Sequence, residues 1–580
     1  MTTKNRTHSR WASWVAGLVA FVSVLLIACG ASSPATPQSA STPAPAQQAT
    51  APPRAGVTPA PTAAVQAAPT PTAVRPAKNK VILVTYQEPA ANGARDNCSG
   101  SIPGMVCSDL TVDPLTWIDT TTFQVVPLSG TESWKQIDPV RWSFKLRQGV
   151  KFHNGEPWNA AAAKQGIDIN GKKGSPLEGY GFHGDIQGEV VDEFTVDVVC
   201  GKPCPIFPRT ALWTSFQPPL WYKSASEADR LRKTLSFGPY KMIEWKPGVE
   251  IRLEAYEGYL PNKAFDAQAP AIKFATQTWR DESLVRAAMI SAGEADWAAD
   301  IGVENQGKVP QFKESGTTQI VTISLDTLWH PELKKKKVRQ ALAHAVDCQG
   351  IMDSLYKGLR KCWGAISAPG TVGLTPENSA PYPHNSGLAR KLLQEGGYDP
   401  KNEIRVYTTI GRNYREQELA EAVAGFWTQN GVNAKVQILE VSKNRELGQS
   451  GCGQYAKEAL DCANRPPPKP SSISRHAQFI GGTSNEVLDY HRQAILRNSC
   501  FAVRSVVCNP ELEKKIDIAG ATPEGPERVK LLAEVAQIIH DEVHFITLFE
   551  FRLVYGLSKD LVWEPRYDPR TRANTMRFAR

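Results

Sequence analysis

The sequence predicts an α/β fold, and three local patterns predict it. Val81-Ile82-Leu83-Val84 is a continuous apolar run with the length and composition of a buried strand. Residues 404–408, 415–429 and 434–439 read as strand, helix and strand, a βαβ unit. Trp142, Phe144 and Leu146 alternate with Ser143, Lys145 and Arg147, the period of a half-buried strand. An Asn154-Gly155 turn and an Asn159 cap then lead into an alanine-rich helix.

The chain starts with Lys4, Arg6 and Arg10, an apolar run over residues 11–28 and the tetrapeptide Leu26-Ile27-Ala28-Cys29. A basic stretch, an apolar stretch and small residues at a cleavage point describe a secretory signal over residues 1–28. Its ending resembles a bacterial lipobox, which implies that Cys29 is lipidated and opens the mature chain. The rival reading is an uncleaved membrane helix, since about 18 residues can just span a bilayer. Residues 29–78 are rich in Ala, Pro, Thr, Ser and Gln, show no hydrophobic period and read as an extended spacer. The remainder, roughly 500 residues, is enough for two or three domains with their own cores. It is expected outside the cytoplasm, held at the outer face of the membrane by acyl chains.

The net charge is +8, and three of those positive charges are Lys4, Arg6 and Arg10. Such dilute charge gives no case for nucleic acid. The densest basic run, Lys334 to Lys337, reads as the solvated start of a helix over residues 338–355. Of eleven cysteines, ten remain after Cys29. They fall in close sequential pairs: Cys98/Cys107, Cys200/Cys204, Cys348/Cys362, Cys452/Cys462 and Cys500/Cys508. Five local disulfides are the simplest connectivity in an exported chain, each stabilising by about 2–3 kcal/mol. A metal site is disfavoured, because no two C-x-x-C pairs exist and the histidines are not spaced for zinc.

Taken in order, residues 188–198 read as two short strands around an acidic turn. Residues 240–245 and 251–255 form a hairpin about Lys246-Pro247-Gly248. A strand over 272–276 precedes a helix over 283–292 that Gly293 stops. A long amphipathic helix covers 526–543, and strands follow over 545–551 and 553–557.

Several of these stretches resemble one family. Residues 142–160, W-S-F-K-L-R-Q-G-V-K-F-H-N-G-E-P-W-N-A, are similar to a block of the family 5 extracellular solute-binding proteins of ABC transporters. That group includes oligopeptide-, dipeptide- and nickel-binding members; Asn154 and Trp158 depart from its usual Asp and Phe. Residues 238–259 (G-P-Y-K-M-I-E-W-K-P-G) and the V-R-Q-A-L at 338–342 resemble two further blocks. Asp113-Pro114-Leu115, Glu132-Ser133-Trp134 and the G-E-A-D at 293–296 are lesser matches.

The resemblance implies a type II periplasmic-binding-protein-like fold, two lobes with a hinge and an additional inserted domain. Family order implies domain I at 79–118, 236–320 and 548–580, domain II at 119–235 and domain III at 321–547. It implies a monomer that captures a solute, most often peptides, and delivers it to ABC permease subunits with cytoplasmic ATPases, without a cofactor. An oligosaccharide, a nickel chelate or another solute uses the same fold, as does a sensor.

Candidate ligand residues follow from position. Tyr86, Gln87 and Glu88 come directly after the first strand, where ligands sit in α/β sheets. Trp279 lies between a strand and a helix, and Arg412 follows the strand at 404–408. The family commonly places pocket residues near 474–489, which implies His476, Gln478, Asn485 and Glu486. The acidic residue that caps a peptide's amino group in peptide-binding members is not met: Cys462-Ala463-Asn464 stands in place of C-A-D. His540 and His544 share an H-x-x-x-H spacing without the zincin glutamate. No catalytic residue is assigned, because no G-x-S-x-G or phosphate loop occurs. A carboxylate-pair hydrolase stays as the distant alternative.

Overall fold

The computed structural model describes residues 78–89, 102–172, 183–262, 268–409, 415–468, 476–505 and 507–579. The leader with Cys29, nearly all of the spacer, Cys98 and Arg412 lie outside these described residues.

The strands run in chain order as β1 (Lys80–Thr85), β2 (Thr116–Ile118), β3 (Val125–Pro127), β4 (Thr131–Asp138), β5 (Arg141–Leu146), β6 (Ile186–Asp192) and β7 (Thr195–Cys200). There follow β8 (Tyr240–Lys246), β9 (Glu250–Ala255), β10 (Phe274–Trp279), β11 (Trp297–Ala299) and β12 (Gln311–Leu325). The series closes with β13 (Ile404–Thr408), β14 (Ala434–Ile438), β15 (Ala477–Ser484), β16 (Phe545–Leu557), β17 (Leu561–Val562) and β18 (Arg577–Phe578).

Ten of them form one large sheet in the order β14-β13-β15-β12-β16-β11-β1-β10-β9-β8. β1 is interior and parallel to both β10 and β11, as its unbroken apolar run requires; Val81, Leu83 and Val84 are buried. β8 and β9 form the expected antiparallel hairpin. At the other end β13 and β14 are parallel, joined through helix Glu416–Gln429.

A separate four-stranded sheet, β4-β5-β7-β6, is built around the 142–160 stretch. Trp142, Phe144 and Leu146 face its core and Lys145 faces solvent, so the alternation is realised. Asn159 Oδ1 accepts from Ala162 N at 3.0 Å and starts helix Ala160–Asn170, which packs on β6.

Two strands set the architecture. β12 and β16 pair antiparallel along their length, but the register breaks between Gly316 and Ile320 and again between Val321 and Thr322. Before the break β12 lies beside the part of β16 that pairs with β11; after it, β12 also pairs with β15. Thr318 at the break has φ 55°, a conformation that a β-branched residue holds only when its surroundings fix it. Separate apolar cores lie on the two sides: one around Val81, Tyr240 and Leu553, the other around Ile323, Leu342 and Trp427.

Three expected elements differ. The strand expected over 272–276 is β10, Phe274–Trp279, so Trp279 ends the strand instead of following it. The helix over 338–355 is two helices, Lys336–Ala345 and Cys348–Tyr356. Val346 leaves the helical region and Asp347 caps the second helix by accepting from Gly350 N at 3.0 Å. The late strands at 545–551 and 553–557 are one, β16.

Disulfides join Cys200–Cys204, Cys348–Cys362, Cys452–Cys462 and Cys500–Cys508. Cys107 is buried, and its expected partner Cys98 is among the undescribed residues. No helix among the described residues is long and apolar enough to cross a membrane.

Candidate functional site

Strand direction locates the site. β1 runs parallel to β11, and β11 pairs antiparallel with β16 from Leu557 back to Tyr555. The carboxyl ends of β1, β10 and β11 therefore point toward the register break. From the other side, Ser484 at the end of β15 pairs with Gln319 of the break itself. Strand ends from both halves of the sheet thus converge on one zone, where α/β sheets bind ligands.

Tyr86, Gln87, Glu88 and Trp279 come together at this edge, with Thr85 and Trp279 in direct register. Tyr86 and Trp279 are half-buried and Gln87 is exposed. Glu88 serves the scaffold. Its Oε1 accepts from Trp245 Nε1 at 2.8 Å and its Oε2 from Gly248 N at 3.0 Å, which staples the β8–β9 hairpin.

Asn485 and Glu486 enter from the opposite half. Asn485 is fully buried; its backbone N–H donates to Thr318 O at 2.9 Å and its Nδ2 to Ser367 Oγ at 3.0 Å. Glu486 Oε2 accepts from Trp213 Nε1 at 2.7 Å, a residue of the small-sheet region. Behind this turn, Asp489 pairs with Arg528, each only 1% exposed, through contacts of 3.0–3.3 Å.

His476 and Gln478 do not join them. Both lie at the start of β15, and Gln478 is separated from Glu486 by roughly 25 Å of extended chain. His476 packs against His330 at 4.5 Å and takes Arg405 N–H on Nδ1 at 3.2 Å, and burial lowers its pKa to about 4. Gln478 Nε2 donates to Asn444.

The sequence reading missed the C-terminal segment at this junction. Arg566, Arg570 and Arg572 stack around Trp117 at 5.1, 4.7 and 5.4 Å. Their partners are Asp568, Asp109 and Asp113 at 2.7–2.8 Å. Burial disfavours the Arg570 charge, but Asp109, Glu486 and Asp568 outweigh it and raise its pKa. Arg-x-Asp-x-Arg-x-Arg at 566–572 is the pattern that could have flagged it. Just before the break, Glu314 accepts from both Arg360 and Arg552 at 2.5 Å. Burial raises the nearby Glu550 carboxyl above its ordinary range.

The most family-like residues prove to be scaffold. His153 Nε2 lies 2.9 Å from Gly238 O, which joins the 142–160 stretch to the 238–259 stretch. Trp158 Nε1 donates to Gly130 O, and Arg147 to Ser129 O and Leu260 O. In the third block, Arg339 binds the carbonyls of Leu333, Lys334 and Glu542.

Among the described residues, one group of metal-type donors gathers. His183, Cys200 and Cys204 lie within 4.8 Å of one another, but the two sulfurs are bonded to each other and so are not thiolate ligands. Helix Pro526–Asp541 ends before His544, so the H-x-x-x-H spacing never shares a helical face. His540 stacks on Tyr382, and His544 meets Asn498 Oδ1 at 3.0 Å.

A sheet divided by two continuous strands, with strand ends facing the division, is the type II periplasmic-binding fold. The chain belongs to the bacterial extracellular solute-binding proteins, family 5, whose middle-region profile matches residues 124–457. The glutathione-binding protein GsiB of Salmonella typhimurium is 24% identical over 453 residues, 73% of this chain and 80% of that protein. Among solved structures, the ABC transporter substrate-binding protein CtaP of Listeria monocytogenes aligns with a TM-score of 0.71 at 19% identity, over 87% of this chain and all of that one. The oligopeptide-binding protein AppA of Bacillus subtilis, in complex with a nonapeptide, aligns with a TM-score of 0.67 at 19% identity, over 87% of this chain and 99% of that one.

Proposed function

We propose that this chain captures a peptide-like solute between two lobes and delivers it to the permease of an ABC importer. The observation that carries the reading is the convergence of strand ends from both halves of the sheet on the irregular β12–β16 crossing. Two strands that run through both halves make a hinge, and hinge closure around a solute requires no chemistry. We assign domain I to 79–118, 236–320 and 548–580, domain II to 119–235, and domain III to 321–547, the second lobe. Tyr86, Gln87 and Trp279 line one wall and Glu486 the other, with the buried Asn485 positioning the turn that carries Glu486. The glutathione-binding relative and the nonapeptide-bound neighbour both favour a peptide-like ligand. The protein acts as a monomer, exported and anchored through Cys29.

Native mass spectrometry of the chain purified from its own host tests this. Denaturing the same sample releases what it carries. A peptide or peptide mixture is the expected cargo; a single sugar or a nickel chelate would overturn the ligand class, and conversion of a substrate would overturn binding alone.

A further inference from the structure

We infer that domain II is the keeper of the closed state: Trp213 and Arg209 hold the second lobe shut and set how long a captured solute stays. The inference rests on the two-lobe reading above. It gives a role to the inserted domain, which supplies no strand to the large sheet.

Domain II and domain III meet through side chains that are not on the hinge strands. Trp213 Nε1 donates to Glu486 Oε2 at 2.7 Å, and the Arg492 guanidinium lies 5.3 Å over the Trp213 ring. Arg209 Nε donates to Glu524 Oε1 at 2.9 Å. Between Cys200 and Cys204, Lys202 lies within electrostatic reach of Glu513 and Asp517. Val487 and Leu488, from the turn after β15, are fully buried in the apolar core of domain II with Phe144, Trp158 and Phe207.

That turn is built like a key. Leu488 has φ 50°, a conformation that a leucine keeps only where the surroundings over-determine it. Its N–H is held by Asn485 O, and its carbonyl accepts from Val372 N at 2.9 Å. The same turn is tied to the hinge, because Asn485 N–H donates to Thr318 O. Withdrawing the key would expose two apolar side chains and strip Glu486 of the Trp213 donor. The turn therefore couples domain II, the second lobe and the hinge in one short segment.

The test is hydrogen–deuterium exchange on the ligand-free full chain, together with dissociation kinetics using glutathione as the probe. Trp213→Phe keeps an aromatic ring and removes the donor. It should raise amide exchange in residues 485–490 about ten-fold and raise the dissociation rate, with the association rate little changed. Arg209→Glu and Glu524→Arg should each raise exchange about two- to five-fold, and the double swap should return it toward wild type. Wild-type exchange in all three single variants, or a double swap that adds the two defects, would overturn the lock. Failure of glutathione to bind would count against that ligand while the exchange result still decides the lock.

Discussion

Arg528→Met should be among the most damaging single changes in the proposed second lobe. Arg528 is 1% exposed and holds Asp489 with contacts of 3.0–3.3 Å; it also caps carbonyls at the end of helix Pro510–Ala521, including Thr522 O at 3.1 Å. Asp489 in turn accepts from His491 N at 2.9 Å and starts helix Tyr490–Arg497. Methionine fits the volume but leaves a buried carboxylate without its cation. Breaking a buried pair from one side costs about 3–5 kcal/mol. For a lobe of roughly 200 residues that corresponds to a melting temperature lower by roughly 6–20 °C. Differential scanning calorimetry on the full chain measures it. Adding Asp489→Asn removes the stranded charge, keeps a good helix cap and should recover most of the loss. A fall under about 2 °C for Arg528→Met would refute the reasoning, as would a double variant no better than the single one.

Other consequences are independent of that pair. His183, His491 and His544 are buried, and burial, reinforced by nearby positive groups, lowers each pKa to about 3. A histidine depressed below its unfolded value of 6.5 contributes stability above pH 6.5, and that contribution is lost as pH falls from 6.5 toward 3. His544→Gln should therefore flatten melting temperature against pH between 6.5 and 4, by about 1.4 kcal/mol per pH unit at most. Replacing Cys348 and Cys362 by Ser opens a bridge of sequence separation 14 and should lower the melting temperature by roughly 4–12 °C, read by calorimetry. A Cβ at Gly238 would run into the Thr111 carbonyl group, so Gly238→Ala should cost about 1–3 kcal/mol by urea unfolding.

The fold was legible where one local pattern forces one outcome. The alternation at 142–146, the Asn159 cap, the 240–255 hairpin and the β13–helix–β14 unit all emerged as read. The helix break at Val346 was not legible, because Ala345-Val346-Asp347 continues the apolar period while Asp347 can equally cap a new helix. The candidate site was legible only in part. Position after a strand pointed to Tyr86, and the family resemblance pointed to the 474–489 segment as a whole, which grouped His476 with Glu486; an extended strand carries those two apart. Trp213 and Arg570 reach the junction from remote segments, through contacts that span hundreds of residues and leave no local period.

The central claim is that solute binds where the strand ends converge. Calorimetric titration of the cargo released from the native protein into four variants tests it directly. Trp279→Ala and Glu486→Ala should each weaken binding at least about ten-fold, whereas His476→Ala and Gln478→Ala, at the far end of β15, should stay within about two-fold of wild type. Full affinity in the first pair with loss in the second would place the solute elsewhere and contradict the account.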